Sequence, residues 1–251
     1  MRISQGDLEY YRQTLDDIAT QAGEYVRDSI QSGGGSGVTA MREAAIAAIQ
    51  DSVGIHGEMA QAWAGQLFDE VCAAEGIGPF DFELFDDIID FAMLEDKVRY
   101  FAKALVEGDS GRFLDDCSTL ADFYARRCNY EGMVRNCYHN HVRYARIPTG
   151  TDTCDFCLML ASRGAVYYDK ARAEEGSHVN CDCVTVCMGP STSIDGYDPD
   201  MLYDMWQGRV SATAHERAGR NGTSYQIERM RIMDSYKASA RRAHQRHRYR
   251  R

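Results

Sequence analysis

The chain has 251 residues, of which 44% are apolar and 26% charged, an ordinary balance for a water-soluble globular protein able to bury one large core or two smaller ones. No apolar run reaches the roughly 18 residues that a membrane-spanning helix needs. The formal net charge of −10 hides a split: residues 209–251 carry 12 Lys/Arg against 3 Asp/Glu, so the preceding 208 residues hold −19, and such a separation points to a polyanion-facing or partner-facing arm.

The N-terminal stretch MRISQGDLEYYRQTLDDIAT has no apolar core followed by a cleavage site and reads as the start of a helix, not a signal peptide. Leu8, Tyr11, Leu15, Ile18, Ala22, Val26 and Ile30 recur at three- and four-residue steps and mark one face of that helix. The run from Ser32 to Gly37 then breaks it; with no preceding strand and no Lys-Ser/Thr it is a connection and not a phosphate loop. A second helical stretch covers 38–75, with Met59, Trp63, Leu67 and Val71 four apart. Phe85, Ile88, Ile89, Ala92, Val98, Phe101 and Leu105 mark a third. A fourth starts near Phe113, carries Cys117, Leu120, Tyr124 and Cys128 on one stripe, and is expected to run to Pro148, which cannot sit in a helix interior. Cys72, Cys117, Cys128 and Cys137 fall on these helices, where small apolar side chains need no further role.

At Pro148 the character changes. PTGTDTCDFC is rich in turn formers, GAVYYDK and CDCVTVC are the convincing strands, MLYDMWQ resumes a helical pattern, and a last helix is expected over 224–240. The fold class is therefore mainly α with a small α+β module: a helical bundle, then a Cys/His-stapled knuckle, then a basic C-terminal helix and tail. The expected division is a helical domain at 1–146, a Cys/His module at 147–190, a turn-rich segment with a helix at 191–236, and a basic disordered tail at 237–251.

Nine cysteines, an odd number, argue against a complete disulfide framework, and without an export signal a reducing cytosol is the expected compartment. Structural zinc takes four Cys or His ligands, usually as two closely spaced pairs. Cys154-x-x-Cys157 is one such pair and His178-x-x-Cys181 a second, with Cys183 able to replace Cys181; Cys187 reads as packing. A disulfide-linked knuckle or plain burial are the competing readings. Catalytic readings fare worse. The zinc-deaminase order of H-x-E before C-x-x-C is reversed and its Glu is missing. H-E-x-x-H is absent, and a redox C-x-x-C lacks its βαβ setting. Ser191 to Ser193 has no E-x-E after it and reads as a turn, and His139-x-His141 as surface histidines. In the tail, Lys237, Arg241, Arg242, Arg246, Arg248, Arg250 and Arg251 with no acid among them suit double-stranded DNA phosphates, or an acidic protein surface.

The run from Arg146 to Val186 resembles the C-terminal signature of MuF-like minor head proteins of tailed phages and prophages, in particular their actinobacterial-type branch. Its elements are Pro148, Gly150, Cys154, Cys157, Leu160 to Gly164, Tyr167, His178, Cys181 and Cys183; Cys187-Met188 departs from the pattern. The resemblance implies a non-catalytic virion or procapsid protein, made in the host cytoplasm and present in few copies near the portal. Portal and capsid or scaffold proteins are the implied partners, with packaged DNA reached through the tail and no membrane. A zinc-containing nucleic-acid-binding protein, or a toxin or hydrolase, is the alternative.

Overall fold

In a computed structural model of the chain, which describes residues 1–33, 35, 37–149, 153, 155–165 and 183–218, the molecule is mainly helical with two small two-stranded sheets. A two-residue strand β1 (Arg2–Ile3) leads into α1 (Gln5–Gly33). Ser4 starts this helix as a capping box: the Ser4 hydroxyl accepts from the Asp7 amide at 3.2 Å, and the Asp7 carboxylate accepts from the Ser4 amide at 2.8 Å. All seven apolar positions read from the periodicity are buried.

Helices α2 (Val38–Ser52) and α3 (Glu58–Glu75) are joined without a break by one π-helical turn, Val53–Gly57. Within that turn His56 is buried, its Nδ1 lying 3.1 Å from the Ser52 hydroxyl, which also donates to the Ala22 carbonyl. Gly57 meets the helix that carries Cys128 closely; a Cβ there would stand 3.0 Å from Cys128 Sγ. Gly76, at φ +65°, ends α3 in a Schellman motif in which Ile77 donates to the Cys72 carbonyl at 3.0 Å.

The expected helix from Phe85 to Leu105 forms only in part. Residues 81–85 are non-helical, and α4 (Phe91–Phe101), capped by Asp90, and the short α5 (Lys103–Val106) follow. Two buried side-chain amides explain the difference. Gln61 donates to the Phe85 carbonyl at 2.9 Å and accepts from its N–H at 2.8 Å. Asn136 treats Glu83 the same way, at 2.9 and 2.8 Å. Backbone groups held at alternate residues by side chains are not free for a helical ladder.

Helix α6 (Ser110–His139) lies antiparallel to α1: Arg27 pairs with Asp115, Asp16 with Arg126 at 2.5 Å, and Tyr11 with Asn129. It stops at His139 instead of running on to Pro148. His141 takes the left-handed conformation at φ +55°, and Val142 donates back to the Cys137 carbonyl at 2.8 Å, a second Schellman closure. The chain then enters β2 (Arg143–Pro148), which pairs antiparallel with β3 (Cys183–Met188) from Arg143↔Met188 to Pro148↔Cys183. Between them lies α7 (Asp155–Ala161), and after them β4 (Ser193–Ile194), parallel to β1, and α8 (Pro199–Ala218). The strand expected in GAVYYDK lies almost wholly outside the described residues, and the helix expected over 224–240 lies outside them entirely.

Two large cores result, with a small cluster of Leu15, Ile18 and Ala60 beside them. One, around Val26, Ile30, Ile49, Leu94, Val98 and Phe113, comes from helices apart from Ile88 and Ile89. The other gathers Leu8, Phe68 and Met133 with Ala145, Ile147, Val184 and Val186 of the sheet and Trp206 of α8. Between them α1, α3 and α6 are joined by polar groups. Tyr11 donates its hydroxyl to Asn129 Oδ1 at 3.0 Å, Asn129 Nδ2 donates to the Ala60 carbonyl at 2.8 Å, and Trp63 Nε1 donates to the Tyr11 carbonyl at 3.0 Å. The Tyr11 and Trp63 rings stack at 5.5 Å. Replacing Asn129 by Ala leaves the buried Tyr11 hydroxyl without its acceptor and removes the bond that ties α6 to the Ala60 carbonyl. Urea unfolding should show a loss of about 2 kcal/mol, whereas Arg99→Ala, which removes exposed helix-surface pairs, should change stability by less than about 0.5 kcal/mol.

Candidate functional site

The sheet β2–β3 has two different faces. Tyr144 and Arg146 alternate with Ala145 and Ile147 along β2, and their partners across the ladder are Cys187, Thr185, Val186 and Val184 in turn. The face that carries Cys187 lies on α3, where Cys187 Sγ sits 3.9 Å from the Phe68 carbonyl. Arg146 belongs to that same face and is 2% exposed; its guanidinium carbon lies 5.0 Å from the centre of the Tyr130 ring of α6, a cation–π contact in a dry setting. Ala145, Ile147, Val184 and Val186 make the opposite, wholly aliphatic face.

Helix α7 is short and buried on every side: Cys157, Leu158, Met159, Leu160 and Ala161 are all within 2% of complete burial. A helix apolar all round has to be enclosed, and this one packs on β2 and α8. The run Leu160 to Gly164, which supplies no metal ligand, is its terminator. Ser162 donates its hydroxyl to the Met159 carbonyl at 2.8 Å, Tyr197 donates to the Ala161 carbonyl at 2.7 Å, and Gly164 at φ +71° turns the chain out. Arg163, between Ser162 and that glycine, is 5% exposed with its guanidinium against Met159 Sδ.

The N-terminal strand anchors the other edge of the module. Met1 and Ile3 accept backbone hydrogen bonds from Ser193 and Asp195, and Arg2 forms a two-pronged pair with Asp195 at 2.7 and 3.0 Å. Glu75, at the end of α3, takes the Met1 amine and both the amide and the hydroxyl of Ser191, each at 2.8 Å. The amine first, and then the Ser191 N–H, hold the Glu75 carboxyl down at about 2. Ser191 and Thr192 thus lie in a turn, as the sequence reads, while Ser193 already opens β4.

Of the five sequence-derived ligands, Cys157 and Cys183 are described. Cys157 lies in the first turn of α7, fully buried, and Cys183 opens β3, half-buried. Because Pro148 pairs with Cys183, the chain leaves β2 towards the C-x-x-C at the same end of the hairpin at which β3 begins. Cys154, His178 and Cys181 lie outside the described residues, as do Lys237, Arg241, Arg242, Arg246, Arg248, Arg250 and Arg251. Among the described residues no three His, Cys, Asp or Glu side chains are arranged to hold a metal ion, and no helix is long and apolar enough to cross a membrane.

Sequence reasoning missed the two buried arginines and the Glu75 clamp. Arg146 had a signal, since Tyr144, Arg146 and Pro148 alternate with small or aliphatic residues at the strand period. Glu75 had none, because its partners lie 74 and 116 positions away.

The family model described as VG15 protein matches residues 2–208, a span that runs from β1 into α8 and so includes both cores and the whole module. No curated protein and no solved structure matches the chain.

Proposed function

The chain belongs to the VG15 protein family, a phage-associated family, and from that membership we propose that it is a minor head protein of a tailed phage or prophage, acting without catalysis in head assembly near the portal. The observation that carries the reading is the Cys/His signature from Pro148 to Cys183, which resembles MuF-like minor head proteins and lies inside the span matched by the family. The burial of α7 and the two-faced sheet support a structural use for that signature: its apolar positions fill the core beneath the hairpin end from which the ligand-bearing segments leave. Portal and capsid or scaffold proteins are the proposed partners. Mass spectrometry of purified particles should find the chain at low copy number relative to the major capsid protein; particles complete in every other head component but lacking it would refute the assignment.

Zinc is the proposed staple, held by Cys154, Cys157, His178 and either Cys181 or Cys183. Thiolate and imidazole donors in two short-spaced pairs suit tetrahedral zinc, which supplies folding free energy directly. Protein purified under reducing conditions should contain about one zinc per chain, and Cys154→Ser should lose the metal and lower the melting temperature. Metal-free protein that melts at the same temperature with and without a chelator would exclude the site.

The basic tail is proposed to reach packaged double-stranded DNA. Seven Lys/Arg and no acid in residues 236–251 would make sequence-independent contacts to phosphates that weaken steeply with salt. Deletion of 237–251 should abolish retention on a DNA column at low ionic strength, and unchanged retention would remove DNA from the proposal.

A further inference from the structure

Three thiols outside the Cys/His signature meet in the mixed core. Cys72 lies in the last turns of α3, Cys137 near the end of α6 and Cys187 in β3; all three are free and buried. Cys187 Sγ sits 3.9 Å from the Phe68 carbonyl and 4.0 Å from the Leu67 carbonyl, so β3 crosses α3 at the turn whose next helical step is Cys72. Just beyond β3, Gly189 has no room for a Cβ because the Glu75 side chain fills that space, so the strand stays against the end of α3 past Cys187. The two thiols thus approach the same turn of α3. The neighbouring Cys187 draws the Cys72 thiol below its ordinary value, while Cys72 and burial push Cys187 up and burial does the same to Cys137. Cys72 is also the least enclosed of the three, at 4% exposed against 0% for the others.

We propose that Cys72 and Cys187 form an oxidation site at which a peroxide closes a disulfide between α3 and β3. The Cys72 thiolate attacks one peroxide oxygen. The O–O bond breaks, the sulfur is oxidised to a sulfenic acid, and the departing hydroxide takes up the proton that Cys72 gave up, leaving as water. The Cys187 sulfur then attacks the Cys72 sulfur. The S–S bond forms, the S–O bond breaks, and the leaving hydroxide takes the Cys187 proton as a second water. Two thiols and one hydrogen peroxide thus give one disulfide and two waters. The disulfide draws the two sulfurs to roughly 2.05 Å across the turn of α3 that β3 crosses. Its product ties the hairpin that carries Cys183 to the helical body. The site is independent of the phage assignment and of zinc, since none of the proposed metal ligands takes part.

The experiment uses the full-length reduced protein, treated in its native state with hydrogen peroxide, then denatured, blocked with N-ethylmaleimide, digested and mapped by mass spectrometry without reduction. Untreated protein should carry the label on both Cys72 and Cys187. Peroxide should produce a Cys72–Cys187 linked peptide pair, lighter than the two free peptides by two hydrogens and abolished by dithiothreitol. The same treatment should raise the melting temperature reversibly in the wild type and leave Cys187→Ala unchanged; the linkage map needs no variant and stands if that one fails to fold. Recovery of Cys72 and Cys187 both labelled after peroxide, or linkage of either to Cys137 instead, would overturn the proposal.

Discussion

The side-chain amide of Asn129 holds three helices in one register. It accepts from Tyr11 of α1 and donates to the Ala60 carbonyl of α3, while Trp63 of α3 reaches back to the Tyr11 backbone. Apolar packing above and below this level would accept many small slides of one helix past another, because an aliphatic ridge fits more than one groove. A buried, directional hydrogen bond accepts none: a slip of one turn, about 5.4 Å, would break every one of these cross-helix bonds. The polar level thus sets the helical core at one end and the mixed core at the other, and the flanking Arg12–Asp16–Arg126 pairs repeat the constraint nearer the surface.

The strand module inherits its position from that register. β2 and β3 lie across the ends of α3 and α6 that the joint has aligned, with Cys187 and Arg146 on the helix-facing side, and α7 packs on β2 and in turn on α8. The β1–β4 edge of the module is tied back to α3 by Glu75, which holds Met1 and Ser191, and is closed on itself by Arg2 and Asp195. The ladder end that bears Pro148 and Cys183 is thus presented on a base fixed to the helices. A base of that kind suits an assembly protein, whose task is to offer a surface in a fixed attitude.

Most of the helical body was legible in the sequence, because α1 and the first two-thirds of α6 bury faces at unbroken three- and four-residue steps. The errors share a cause. Phe85 to Ile89 have a helical pattern, but the backbone of Glu83 and Phe85 that would start the helix is claimed by Asn136 and Gln61, side chains 53 and 24 residues distant. The final stretch before Pro148 was read as helix because its local propensities permit it; a left-handed His141 and the pairing with Cys183–Met188 decide otherwise. The strand at 183–188 was legible from its alternation, and so was the end of the second helical stretch at 75. In the candidate site, the sequence supplied residue types and spacing. The fold added what spacing cannot carry: that the run after Cys157 is buried to the last side chain, and that Cys183 stands opposite Pro148.

The π-helical turn at Val53–Gly57 has a consequence for chain length. From Ser52 the buried positions advance by four, through His56, Ala60, Ala64 and Phe68. In an α-helix each advance of four overshoots a full circle by about 40°, so a straight helix would have carried Phe68 round by about 160° and out of the core. One surplus residue, taken up as a wide turn, gives back about 100° of that drift. The arithmetic concerns the number of residues and not their identity. Between Ile49 and Phe68 an exposed side chain such as Ile55 is free to change, while the count of residues is not: a single deletion would rewind the turn and swing the α3 face that supports the hairpin away from it.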